Sequence, residues 1–202
     1  MLTPSLILAV ALLQQPGHDS SAARAAREAA FDSSKAAFRQ VGARVADVRS
    51  ALDVYRRAVF NGTDAELLTH ADYLRTSCRA ADSAARLAEK KICRRCAARD
   101  VQAAFDGYRQ MLPSLSRGAA RCAMRLGQLA GARDAAKLLR RDVRTIGNPI
   151  VVTLRAYEAR VTVLRKALNV TGTVPGARAP AGTAHRQSGN EVRSPPVRPR
   201  PS

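Results

Sequence analysis

Cys93-Arg94-Arg95-Cys96 is the one stretch of this chain whose residue types and spacing name a chemistry. Two cysteines three apart form a redox pair or half of a zinc site, and flanking guanidinium groups lower a thiol pKa by stabilising the thiolate. A zinc site needs two further ligands. Only Cys78 and Cys122 are left to supply them, and neither has a second ligand close by in sequence. A thioredoxin-type site needs a βαβ setting. The surrounding pattern is helical instead, which places Cys93 and Cys96 on one helix face as two small buried side chains. The 4 cysteines are too clustered for a disulfide framework and fit a reducing compartment. His18, His70 and His185 lie in three unrelated segments, and no carboxylate pair, Ser/His/Asp set or glycine-rich phosphate loop accompanies them. The sequence therefore predicts no catalytic, cofactor or metal site, with Cys93 and Cys96 the weak exception.

Charge points to a different kind of work. Lys and Arg number 34 against 16 Asp and Glu, a formal +18, and arginine supplies most of it. That balance favours nucleic acid, anionic lipid or an acidic protein as partner and is silent on the fold. Residues 113–170 hold 12 basic and 3 acidic side chains, whereas residues 61–112 hold 9 and 7. Arg140, Arg141, Arg144, Arg165 and Lys166 are accordingly the expected basic surface. No zinc finger, aromatic platform or basic-region zipper is present, although nonspecific phosphate binding needs none of them. Aromatic residues make up only 4% of the chain and Trp is absent, so the core must be built from Ala, Val and Leu seams between helices.

The elements that carry these residues follow from periodicity. Phe31, Phe38, Val41, Val45, Val48, Leu52, Tyr55 and Val59 recur at three-four spacing, the pattern that keeps one helix against another along its length. Asn61-Gly62 ends that helix through the left-handed conformation these residues tolerate. Thr63 opens the next, with Glu66 completing a capping box. Leu67, Ala71, Leu74, Cys78, Ala81, Ala85, Ala88 and Ile92 continue the spacing, and Val101, Phe105, Tyr108 and Leu112 carry it to Pro113. The geometry expected is a long antiparallel hairpin folded at Asn61-Gly62-Thr63. Pro113 and Gly147-Asn148-Pro149 mark further boundaries. A third helix, weakened at Gly127 and Gly131, lies between them, and a fourth carries Ile150, Leu154, Tyr157, Val161, Leu164 and Leu168.

The expected fold class is all-α: the hairpin plus two further helices, ESCRT-III-like or a helical bundle. Phe38, Val41, Val45, Val48, Leu52, Tyr55, Val59, Leu67, Leu74, Leu154, Val161 and Leu164 form the helix interfaces. Three segments follow: an apolar N-terminal stretch (1–20), a helical domain (21–170) and a basic Pro-rich tail (171–202) too poor in large apolar residues to order. Leu6, Ile7, Leu8, Val10, Leu12 and Leu13 form an apolar run that is short of a bilayer span. It reads as a membrane contact, a core strip, or the apolar region of a signal peptide lacking the basic residues that usually precede it. The sequons Asn61-Gly62-Thr63 and Asn169-Val170-Thr171 acquire meaning if the chain is secreted.

From residue 52 to 169 the chain resembles the herpesvirus tegument protein family that drives cytoplasmic envelopment and egress and has an ESCRT-III-like helical fold. The resemblance rests on Leu74-Arg75-Thr76-Ser77-Cys78 and on Cys122 after a long helix. It continues through Val143-Arg144, Val151-Val152 and Leu164-Arg165-Lys166-Ala167-Leu168, with a Pro-rich tail behind. It implies a virion component in host cytoplasm and at Golgi-derived membranes, paired with a second viral envelopment protein and polymerising into filaments. That family is anchored by a palmitoylated Cys near its N-terminus, and residues 1–77 here contain none. A second, different small herpesvirus tegument protein is similar from Arg99-Asp100 to Tyr108. The function expected is therefore a non-catalytic structural protein acting on anionic membrane and helical partners. A nonspecific nucleic-acid binder and a secreted helical protein are the alternatives.

Overall fold

The computed structural model describes residues 21–171, and all of its regular structure is helical. The chain forms α1 (Ser21–Asn61), α2 (Asp64–Lys91), α3 (Arg99–Ala130), a short α4 (Ala135–Arg141) and α5 (Val143–Thr171). The apolar run Leu6 to Leu13 and all but the first residue of the Pro-rich tail lie outside the described residues. The four long helices pack as an up-down-up-down bundle, each against its neighbour in sequence, and α4 closes one end between α3 and α5.

The hairpin forms where the sequence places it. The Thr63 Oγ1 accepts the Glu66 N–H at 3.2 Å, and the Glu66 carboxylate accepts the Thr63 N–H at 2.8 Å. Two otherwise orphaned donors at the start of α2 are thus satisfied reciprocally. This pairing also holds the Glu66 carboxyl below its ordinary range. The end of α1 differs from expectation, because Gly62 does not enter the left-handed region. Its requirement is space: a Cβ there would stand 2.9 Å from the Ala58 carbonyl oxygen.

The predicted seam residues are buried within the chain. Val41, Val45, Val48, Leu52, Tyr55 and Val59 of α1, Leu67 and Leu74 of α2, and Leu154, Val161 and Leu164 of α5 are buried in one core, with Phe38 half-buried against it. Each fully buried Leu contributes on the order of 2 kcal/mol relative to leaving it in water. Small residues on α2 (Ala71, Ala81, Ala85, Ala88) let α1 and α3 approach on either side. At the centre, an aromatic string crosses the bundle. Phe38 meets Tyr108 edge-on at 5.2 Å, and Tyr108 meets Tyr157 at 5.8 Å with their hydroxyls 3.4 Å apart. Burial pushes both phenols above the ordinary tyrosine range.

Three expected boundaries are corrected. Pro113 lies inside α3 and Pro149 inside α5. A proline within a helix costs about 3 kcal/mol. Here the buried stripe Val101, Phe105, Tyr108, Leu112, Leu115, Ala119, Cys122, Leu126 keeps one phase across Pro113, so core burial on both sides holds the helix together. The same holds for Ile146, Ile150 and Leu154 around Pro149. The third correction runs the other way. Cys93-Arg94-Arg95-Cys96 is not helical but sits in the connection between α2 and α3.

Candidate anionic-surface interface

The arginines expected as one basic surface are divided between the two ends of the bundle. At the end closed by α4, Arg140 turns inward to the C-terminus of α1. Its guanidinium donates to the carbonyl oxygens of Val59 at 2.9 Å and Gly62 at 3.1 Å, and to the Asp64 carboxylate at 2.6 Å. These are the unpaired carbonyls and negative dipole end that any helix leaves at its last turn. Arg140 is therefore a cap and not surface charge, which corrects the expectation. Arg141 donates to Asp142 at 2.9 Å, and Arg125 reaches the same carboxylate from α3. Hydrogen bonds from Arg141 and then Arg125 hold the Asp142 carboxyl below its usual range. Nearby, the buried Tyr55 hydroxyl donates to the Leu139 carbonyl at 3.0 Å, tying α4 to α1. Arg144 is exposed at this end, while Arg165 and Lys166 are exposed about 30 Å away along α5. The five predicted residues do not meet.

The opposite end presents a different set. Between Lys90 and Arg99 the chain carries five cations, Lys90, Lys91, Arg94, Arg95 and Arg99, without an acid among them, and all five are exposed. The connection that displays them is fixed from both sides. The Ser34 hydroxyl of α1 accepts the Cys93 N–H at 2.9 Å and donates to the Ala30 carbonyl at 2.8 Å. From α3 the Gln102 amide donates to the Cys93 carbonyl at 3.0 Å and accepts the Cys96 N–H at 3.1 Å. Cys93 and Cys96 are joined as a disulfide, with Cα atoms 5.9 Å apart. The pins gather the backbone inward at both cysteines, and Arg94-Arg95 between them face solvent. Phe31 packing edge-on to Phe105 places the early part of α1 beside this end.

Pairing also overturns the reading of the cysteines as free thiols. Cys78 of α2 and Cys122 of α3 form a second disulfide across the core, their Cα atoms 6.3 Å apart, and no free cysteine remains. A disulfide-bonded cysteine is neither a nucleophile nor a zinc ligand, so metal binding at Cys93 and Cys96 would require the bridge to be reduced. Among the described residues, no three His, Cys, Asp or Glu side chains converge. The basic connection was nevertheless detectable in sequence. The apolar stripe ending at Ala88 and Ile92 resumes at Val101 and Phe105 out of phase with itself, and this slip coincides with the densest run of cations.

Compared with known proteins, the chain matches no protein family, no curated protein and no solved structure.

Proposed function

We propose that this chain is a non-enzymatic structural protein that docks end-on onto an anionic membrane surface, the role that the tegument resemblance implies. One observation carries the reading, the convergence of features at one end of the bundle. Lys90, Lys91, Arg94, Arg95 and Arg99 project there. The N-terminal part of α1 lies there, with seven residues between Leu13 and Ser21, and α5 stops there ahead of an arginine-bearing tail. An apolar segment and a basic patch are the two weak signals that together hold a protein at a membrane, and each basic residue near anionic lipid contributes about 1 kcal/mol. No described helix is long and apolar enough to cross a membrane. An ESCRT-III-like filament, pairing with a second viral envelopment protein at Golgi-derived membranes, belongs to the same proposal. It needs a contact face outside the closed seams.

Co-sedimentation with neutral and anionic liposomes tests the reading. The expected outcome is binding to anionic vesicles alone, weakened by Arg94→Glu with Arg95→Glu and by removal of residues 1–20. Equal binding to both vesicle types, or none, would sink it. Salt-steep binding to DNA or RNA in its place would move the chain to the nonspecific nucleic-acid class.

The paired cysteines favour a second reading, a secreted helical bundle. Disulfides persist in oxidising compartments. In such a compartment the exposed Asn61, at the hairpin turn, is an accessible glycan acceptor. Intact mass after denaturing alkylation decides the point: four alkylated thiols on the chain from its native source would remove this reading.

A further inference from the structure

Three of the bundle's four seams are closed, and the fourth, α1 against α5, is held apart. Between them runs a groove with a cavity of about 460 Å³ near Tyr157 and a second of about 220 Å³ further along the same two helices. Val45, Leu52, Leu154 and Val161 close it from beneath as part of the buried core, and the apolar surface left open along it is that of Phe38, Ala43, Ala46 and Val151. On the α1 bank stand Gly42, Ala43 and Ala46, small enough to let another backbone come close. The rims are strongly basic: Arg39, Arg49 and Arg56 on α1 and Arg155 and Arg165 on α5, against Asp53 and Glu158. One ion pair, Arg49 with Glu158, bridges the banks at the middle, and both side chains are about half exposed. Glu158 is the only acid on α5.

We infer that the α1/α5 groove is a docking site for an acidic amphipathic helix supplied by a partner protein. The open strip of Phe38, Ala43, Ala46 and Val151 suits a partner with a narrow apolar stripe, which a bare polyanion lacks. The five arginines require carboxylates flanking that stripe. From Phe38 to Arg56 the α1 bank measures about 27 Å, the length of an 18-residue helix. A helix seated between small residues at an interaxial distance of 8–10 Å occupies such a channel. The chain's own apolar segment fits less well. Leu6 to Leu13 carries no acid to meet the arginine rims. Within the groove Glu158 acts as a stand-in carboxylate on Arg49, which the incoming helix displaces.

This site is separate from the membrane-docking end, and the test keeps the two apart. A fluorescent 18-residue peptide, with Leu at helical spacing and Glu on both flanks, is titrated with the full chain by anisotropy, alongside a scrambled peptide of identical composition. The ordered peptide is expected to bind at least about tenfold tighter than the scrambled one. Arg39→Glu with Arg165→Glu should weaken it by roughly tenfold or more. Ala46→Trp, a change at an exposed position, should abolish binding with the helical circular dichroism unchanged. Glu158→Gln should tighten it several-fold by releasing Arg49. Arg94→Glu with Arg95→Glu should leave peptide affinity unaltered while weakening liposome binding. The inference is overturned if the scrambled peptide binds equally, if neither peptide binds, or if Ala46→Trp has no effect. Tighter peptide binding by the chain lacking residues 1–20 also overturns it, because the native occupant is then the chain's own segment.

Discussion

The two ends of the bundle place arginine differently, although Arg133, Arg141 and Arg144 are exposed at the α4 end as well. At the α4 end, Arg140 caps α1, and Arg125 and Arg141 share one buried carboxylate, Asp142. At the other end, Arg94 and Arg95 project from a connection pinned by Ser34 and Gln102. Density of arginine in sequence is thus a poor measure of surface field. What matters is whether a helix terminus or a buried acid lies within reach of the guanidinium. The α4 end is held by contacts between residues far apart in the chain, and the basic end by contacts that are mostly local.

That contrast can be broken or sharpened by measurement. The Cys78–Cys122 disulfide closes a loop with a sequence separation of 44, and its removal with Cys78→Ala and Cys122→Ala should cost about 4 kcal/mol in denaturant unfolding. Removing the Cys93–Cys96 bridge, with a separation of 3, should cost at most about half of that. Equal losses would mean that the short bridge at the basic end constrains the chain as much as the long one across the middle of the core. Arg140→Ala is expected to destabilise by ~2 kcal/mol, since it strips the α1 terminus of charge-assisted hydrogen bonds, and to leave liposome binding untouched. A loss of lipid binding without a loss of stability would return Arg140 to the surface.

The pH dependence is a smaller effect with a definite sign. Asp142 has its pKa depressed in the fold, so its contribution is present above the ordinary carboxyl range near ~3.9 and is lost as pH falls toward the folded value. Thermal unfolding scanned downward from pH 5 should therefore show a shallower acid loss in Asp142→Asn than in the parent chain. The smallest effect on stability belongs to Arg94→Glu with Arg95→Glu, within about 0.5 kcal/mol of zero. The same pair should show the largest effect on anionic-liposome affinity. If it destabilises the fold instead, the basic end is structural after all.

The seams were legible in the sequence because a heptad stripe reports burial directly: Val41, Val48, Leu67, Leu74 and Leu164 are all fully buried. Thr63-x-x-Glu66 was legible because its chemistry is local. Pro113 and Pro149 signal a boundary through local backbone preference, while the apolar phase runs through both unbroken and decides the structure. Arg140 was beyond reach from sequence, since its partners at Val59 and Gly62 lie about eighty positions upstream. The disulfides were missed for a related reason: Cys78 meets Cys122 only once α2 and α3 are antiparallel. The basic connection was missed although it had a signal, the phase slip after Ile92.

The aromatic string has a consequence in the optics of the chain. With Trp absent, the near-ultraviolet spectrum comes from four tyrosines together with the disulfides and phenylalanines, and of the tyrosines Tyr55, Tyr108 and Tyr157 are buried and Tyr73 is exposed. Tyr108 and Tyr157 lie close enough for their transitions to couple, across the junction of α3 with α5. Near-ultraviolet circular dichroism therefore reports on that junction along with Tyr55 and the two disulfides, while the far-ultraviolet signal counts helix everywhere. A change confined to the first band, and absent in Tyr157→Phe, would show α5 shifting on α3 with every helix intact, without any label attached.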